Sequence, residues 1–357
     1  MKKIINILVL AFLLGASQMS LLTGCTDTGG DGIDSVIWDG SKNPENTSFR
    51  NPVWEPSLEG GTIVKGASMY VAVSNFTQWA PGLTYYCRTL NSSDLMSWSM
   101  GNDAFSIPDS IKPYITQRLN ALSIDYARTV VGATYWMFYT VEGGDSICAA
   151  TAITAAGPYT NRGAIMHAAD VNSTTLSHPF FIVASNAFYL CYTTDDGTYI
   201  QRLRLNRVTG VTKQGAATKI AATGVTDVAI VRKSSSVFYM WFTVKNGEST
   251  EIHYARASKI TGPYLDKSGN DVVTSSTGET LITASDNIIN PERPMRGFIN
   301  QAGDYLFVAH NATEQGKESM QSGYARRPLF VTPVQIGEDE WLTATQVKKG
   351  WTKPRFE

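Results

Sequence analysis

Five side chains able to carry charge recur at a comparable place along this chain: Glu55, Asp125, His178, Asp227 and Arg293. Each stands 11 to 15 residues ahead of an aromatic residue at the head of an aromatic-apolar run (Tyr70, Trp136, Tyr189, Tyr239 and Tyr305), within the stretches Asn51–Ser57, Leu122–Asp125, Leu176–Phe181, Val225–Ala229 and Asn290–Arg296. A lone acid before a strand is usually a turn or rim residue. Five such groups at one repeat position are a different matter, because a repeat that closes on itself brings them to a common pocket. Carboxylates, an imidazole and a guanidinium gathered in this way are the groups that move protons and hold charge.

The runs that would position them are Met69–Ser74, Tyr135–Thr140, Phe188–Thr193, Phe238–Thr243 and Asp304–His310, each short, apolar and rich in aromatic residues, as buried strands are. Taking Tyr70, Trp136, Tyr189, Tyr239 and Tyr305 as equivalent, the steps are 66, 53, 50 and 66 residues, the period of a propeller blade. Third strands follow at Ser146–Thr151 and Glu251–Arg256, and a nearly duplicated turn follows those, Ala156-Gly-Pro-Tyr159 and Thr261-Gly-Pro-Tyr264. In the first unit Ser93–Trp98 takes the same place, with Asp94 and Trp98 to close the turn. The fold class expected is all-β, a five-bladed β-propeller, in which the innermost strands start around the axis. Trp136 and Trp241 lie inside the repeated strand and are assigned to the core.

Of 357 residues, 43% are hydrophobic and 17% charged, with a net charge of −1, which suits one large globular array. No basic stripe is present, so no nucleic-acid partner is expected, whereas a neutral sugar is electrostatically compatible. Cys87, Cys148 and Cys191 lack metal-ligand spacing and are read as buried free thiols. Lys2-Lys3, the apolar run Ile4–Leu14 and the ending Leu21-Leu-Thr-Gly-Cys25 resemble a bacterial lipoprotein signal. The expected organisation is a signal peptide over 1–24, a lipid-bearing Cys25 opening a tether over 25–48, a propeller over 49–345 and a tail over 346–357. Such a chain is exported and anchored to the bacterial outer membrane, touches the membrane through its lipid only, and is expected as a monomer.

From Phe49 to Trp341 the chain resembles the five-bladed propellers of glycoside hydrolase family 43, the arabinanases, arabinofuranosidases and xylosidases. The matching pieces are Asn51–Ser57 for an Asp-Pro-Ser motif, Ser93–Trp98 for a first-blade turn, both Gly-Pro-Tyr turns, and Tyr324–Val334 for a closing Arg-Arg strand. The resemblance implies three acids, with Glu55 as general base, Asp125 as orienting group and Asp227 as general acid. Inversion needs such a pair, a base to activate water on one side of the sugar and an acid to protonate the leaving oxygen on the other. A neighbouring carboxylate such as Asp125 would keep the acid protonated through like-charge repulsion. The base is Glu where the family has Asp, and the acid is Asp where it has Glu.

The resemblance also implies a substrate, an oligo- or polysaccharide of plant type cleaved at α-L-arabinosyl or β-D-xylosyl linkages. Trp54, Phe76 and Trp79 are candidate platforms for sugar rings. His178, Arg293 and Arg296 are candidate substrate-binding groups, the arginines suiting a carboxylated sugar. No cofactor is required by this chemistry. His310 matches a family histidine near an axial ion, often calcium, and is the candidate ligand for one. The alternatives are a propeller that binds glycan without hydrolysing it and a related hydrolase for an acidic sugar.

Overall fold

The computed structural model describes residues 49–106, 119–129, 132–141, 143–206, 208, 210–285, 287–299 and 303–352. The leader, Cys25 and the tether lie outside them. Five antiparallel sheets follow one another along the chain. Blade 1 contains Thr62–Lys65, Tyr70–Val73, Arg88–Ser92 and Ser99–Asp103, with a hairpin of Phe76–Ala80 and Leu83–Tyr86 inserted after its second strand. Blade 2 runs Leu119–Thr129, Gly132–Val141, Ser146–Ala152 and Thr160–His167, and blade 3 Ser177–Ala184, Ala187–Thr194, Gly197–Asn206 and Gly210–Ala221. Blade 4 runs Val225–Ser234, Val237–Asn246, Ser249–Ala257 and Glu279–Thr283. In blade 5 the inner strand is split into Ile288–Glu292 and Gly297–Ile299, both paired with Tyr305–Glu314, which pairs in turn with Leu329–Gln335.

The sheets stack face to face, so the second strand of each blade is buried on both sides, which is why those strands are unbroken apolar runs. Trp136 and Trp241 are fully enclosed, as expected. The apolar clusters lie between blades. Residues of blades 1 and 2 form one, blades 2 and 3 another, and blade 4 joins blades 3 and 5 in a third. The fourth cluster closes the ring between blades 5 and 1, where the Tyr70 and Phe298 rings meet edge to face at 5.2 Å.

The repeated turns hold as the sequence suggested. Tyr159 and Tyr264 each donate a hydroxyl to the carbonyl four residues back, at 2.9 and 2.8 Å. Asp94 Oδ1 accepts from the backbone N–H groups of Met96 and Ser97. Cys87, Cys148 and Cys191 are free and buried.

The ring is closed by the stretch that follows the tether. Asn51 exchanges two hydrogen bonds with the backbone of Val331, at 2.8 and 3.0 Å, Val53 N–H donates to Leu329 at 2.8 Å, and Leu58 N–H to Arg327 at 2.8 Å. Residues 51–58 therefore lie along the last strand of blade 5. The segment expected as a tail also joins the fold through residue 352: Thr345–Gln346 pairs with Glu279–Thr283, and Gly350–Thr352 with Phe49–Asn51. Asn51→Ala should leave the buried amide and carbonyl of Val331 without their partners and lower unfolding free energy by about 2–3 kcal/mol, read from urea denaturation.

Candidate functional site

At the start of each inner strand the hairpin register slips at one place. The last regular pairs before the slip are Asn120 with Thr140, Ser177 with Thr193, Thr226 with Thr243 and Ile289 with Thr313. In blade 1 the corresponding contact is Asn75 N–H to the Glu59 carbonyl. The next residue in every case is left-handed: Gly60 at φ +62°, Ala121 at +50°, His178 at +49°, Asp227 at +52° and Asn290 at +52°. These are β-bulges at one rung of all five blades, and a bulge re-aims its side chain out of the sheet. Four of the five are not glycine, and each bears roughly 1 kcal/mol of backbone strain.

His178 and Asp227 thus hold equivalent positions, as read from the sequence, but Glu55, Asp125 and Arg293 do not. Glu55 lies five residues ahead of the blade 1 bulge, Asp125 four residues beyond that of blade 2, and Arg293 three beyond that of blade 5. The misalignment arises because the bulge is set by hairpin pairing, and the hairpins differ in length between blades.

An axial opening that encloses a volume of about 20 Å³ is lined by Gly61, Thr62, Leu122, His178, Phe180, Asp227, Arg293 and Met295, among others. Arg293 reaches across it. Pro291 and Pro294 lack the N–H a ladder needs, so the inner strand of blade 5 breaks between them, and Arg293 itself is left-handed at φ +48°. Its backbone N–H bonds Thr243 Oγ1 at 2.9 Å, and its guanidinium leaves blade 5 for three others. Nη1 meets Asp227 Oδ1 at 3.1 Å, while Nη2 donates to the carbonyls of Gly60 at 3.2 Å, Gly61 at 3.3 Å and Leu122 at 3.5 Å. His178 Nε2 lies 3.4 Å from the same Asp227 oxygen and its Nδ1 2.9 Å from Ser177 Oγ.

The remaining expected residues stand elsewhere. Glu55 is half exposed at the rim and paired with Arg326. Asp125 is buried in the blade 2 strand, where Oδ2 accepts from Val183 N–H and from Arg296 Nη2, each at 3.2 Å, and Oδ1 from Tyr126 N–H at 2.8 Å. Arg296 also donates to the Ile124 carbonyl at 3.1 Å and lies over the Phe180 ring. Arg296 is thereby a strut from blade 5 to blade 2 rather than a pocket residue. Trp54 and Trp79 are brought together, with ring centroids 5.5 Å apart, and Tyr85 adjoins Trp79 at 4.9 Å. Phe76 opens the inserted hairpin, and its side chain lies outside the described residues.

His310 is fully buried in blade 5, with Nδ1 2.9 Å from the Asn311 carbonyl and Nε2 2.8 Å from Thr332 Oγ1. Burial brings its pKa down to about 4. With both nitrogens engaged, it does not suit the ligand role expected of it. Among the described residues no three His, Cys, Asp or Glu side chains group as metal ligands, and two arginines cross the axis. The residues present do not fit an axial ion.

Glu59 and Glu292 are not among the site residues expected from the sequence. Glu292 pairs with Arg327 Nε at 2.5 Å, and burial raises its pKa, a change that Arg327 opposes and the charges of Asp227 and Glu59 reinforce. Neither carboxylate lines the opening. Only the register of the first and fifth hairpins marks them as near the axis.

The model of the glycosyl hydrolases family 43 matches residues 49–342, most of the chain. This protein belongs to that family. It is 23% identical over 238 residues to the extracellular endo-α-(1→5)-L-arabinanase 1 of Bacillus subtilis, covering 60% of this chain and 70% of that one. The α-L-arabinanase of Cellvibrio cellulosa in complex with arabinohexaose superposes with a TM-score of 0.62 at 16% identity, covering 82% of this chain and 95% of that one. An endo-1,4-β-xylanase of Bacteroides thetaiotaomicron does so with a TM-score of 0.57 at 15% identity, covering 86% and 99%. These structures share the five-bladed fold.

Two measurements check the structural roles of Asp125 and His310. Asp125→Ala should strand the buried Arg296 charge and cost about 3–5 kcal/mol of stability, whereas Glu55→Ala at the rim should cost less than about 1 kcal/mol. For His310 the sign follows from its lowered pKa. As pH falls below 6.5 the unfolded chain takes up a proton that the folded chain refuses until about pH 4, so stability is lost across that interval. Denaturation midpoints at pH 7, 5.5 and 4.5 should therefore fall, and His310→Gln should flatten the slope.

Proposed function

We propose that the axial face takes pentose-based plant polysaccharide fragments of the arabinan or xylan type. The observation that carries this is the axial opening itself, in a family 43 chain, with its charges compensated: Asp227 against Arg293, with His178 beside them. A compensated polar pocket suits a neutral sugar, whose hydroxyls both donate and accept. A carboxylated sugar would compete with Asp227 for Arg293, and Arg296 is spent on Asp125, so the acidic-sugar reading loses its support.

The Trp54, Trp79 and Tyr85 cluster offers apolar ring surface of the kind on which a sugar face packs. In this reading the chain is an exported lipoprotein, held at the outer membrane through Cys25, that meets its glycan outside the cytoplasm. Isothermal titration of the protein with arabino- and xylo-oligosaccharides should show saturable binding to one of the two series. Trp79→Ala should weaken it about tenfold, the worth of one stacked ring at the upper end of its range. Binding to neither series would refute the assignment.

A further inference from the structure

We infer that the axial site holds its glycan without cleaving it. The inference rests on the assignment of the axial face to pentose glycans and concerns what that site does once filled. Inverting hydrolysis needs two carboxylates on opposite sides of the sugar, separated by about 6.5–9.5 Å so that a water fits on one side. The one rung that re-aims a side chain in every blade carries Gly60, Ala121, His178, Asp227 and Asn290, a single carboxylate among five.

Blade 1, where the resemblance places a base, has no side chain at this rung and little room for one. A Cβ added to Gly60 would come within 2.6 Å of Asn120 Oδ1 and 3.1 Å of Asn75 Nδ2, and the backbone there is left-handed. Blade 2, where the resemblance places the orienting acid, has the methyl group of Ala121.

The space between the blade 4 and blade 1 bulges, where a hydrolytic water would stand beside a bound sugar, is not open. Arg293 spans it, from Asp227 Oδ1 at 3.1 Å to the Gly60 carbonyl at 3.2 Å, so the one carboxylate that a proton donor could be made from is bonded to a guanidinium. Glu55 and Asp125 do not substitute, since each is held by its own arginine at the rim or in the core. Glu292 is held by Arg327, and neither it nor Glu59 lines the opening. Among the described residues, a pocket with this lining presents polar groups to a sugar and lacks the pair that would hydrolyse it.

The test uses the full chain with arabinan, arabinoxylan, xylan and their oligosaccharides, measuring affinity by titration and released sugar by chromatography after prolonged incubation. The expected result is saturable binding with no release above the blank. His178→Asn, chosen because Arg293 also ties blades together, should lower affinity about tenfold, and Arg293→Ala should lower it further if the variant keeps its thermal transition.

Sugar release that disappears in Asp227→Asn would overturn the inference while leaving the glycan site standing. Release that persists unchanged in Asp227→Asn and co-elutes with the purified chain would overturn it as well, by placing the cleaving groups elsewhere on the chain. Absence of both binding and release would overturn the reading of the axial face, and this inference with it.

Discussion

Two arginines from one irregular strand hold the centre of this molecule. Arg293 and Arg296 leave blade 5 where Pro291 and Pro294 interrupt its ladder, and they reach blades 1, 2 and 4 across the axis. Each guanidinium meets a carboxylate and at least one backbone carbonyl, which is what a cation needs when water is excluded. The blades themselves associate through apolar faces, a non-directional attraction that fixes neither the depth nor the chemistry of the axial opening. The arginine contacts do both. They set how far the inner strands converge, and they determine that the opening is lined by a compensated ion pair.

This arrangement also explains why the carboxylates of this chain are so unevenly disposed. Asp125 and Glu292 are each bound to an arginine on a neighbouring element, and Asp125 in addition accepts a backbone N–H from blade 3. Asp125 thereby connects blade 2 to blades 3 and 5, while Glu292 ties the inner strand of blade 5 to the segment that precedes its last strand. Among the described carboxylates, Asp227 alone stands at a bulge, bears the backbone strain of a left-handed residue and faces the opening. The left-handed backbone at His178 and Asp227 turns both side chains toward the opening.

The fold was legible because its cause is local. A strand buried on both faces must be apolar throughout, so the five aromatic runs, their spacing and the two Gly-Pro-Tyr turns identified all five blades, and the enclosed Trp136 and Trp241 follow from the same rule. The closing role of residues 51–58 and the docking of residues 345–352 left no such mark, since each depends on pairing with a strand far away in sequence.

By itself the sequence determined the architecture, the burial of the three cysteines, and the presence of His178 and Asp227 at matching points of adjacent blades. It did not determine which acids share a pocket. That depends on the rung at which each hairpin slips, and a bulge shifts register without changing residue type, so Glu55 and Asp125 looked equivalent to Asp227 while Gly60 and Ala121 hold the equivalent places. Nor could it show that His310 turns both ring nitrogens to the protein, or that Arg296 lies against Asp125 instead of a ligand. Composition and local pattern dictate which elements form; only packing of all five blades around one axis decides which side chains meet there.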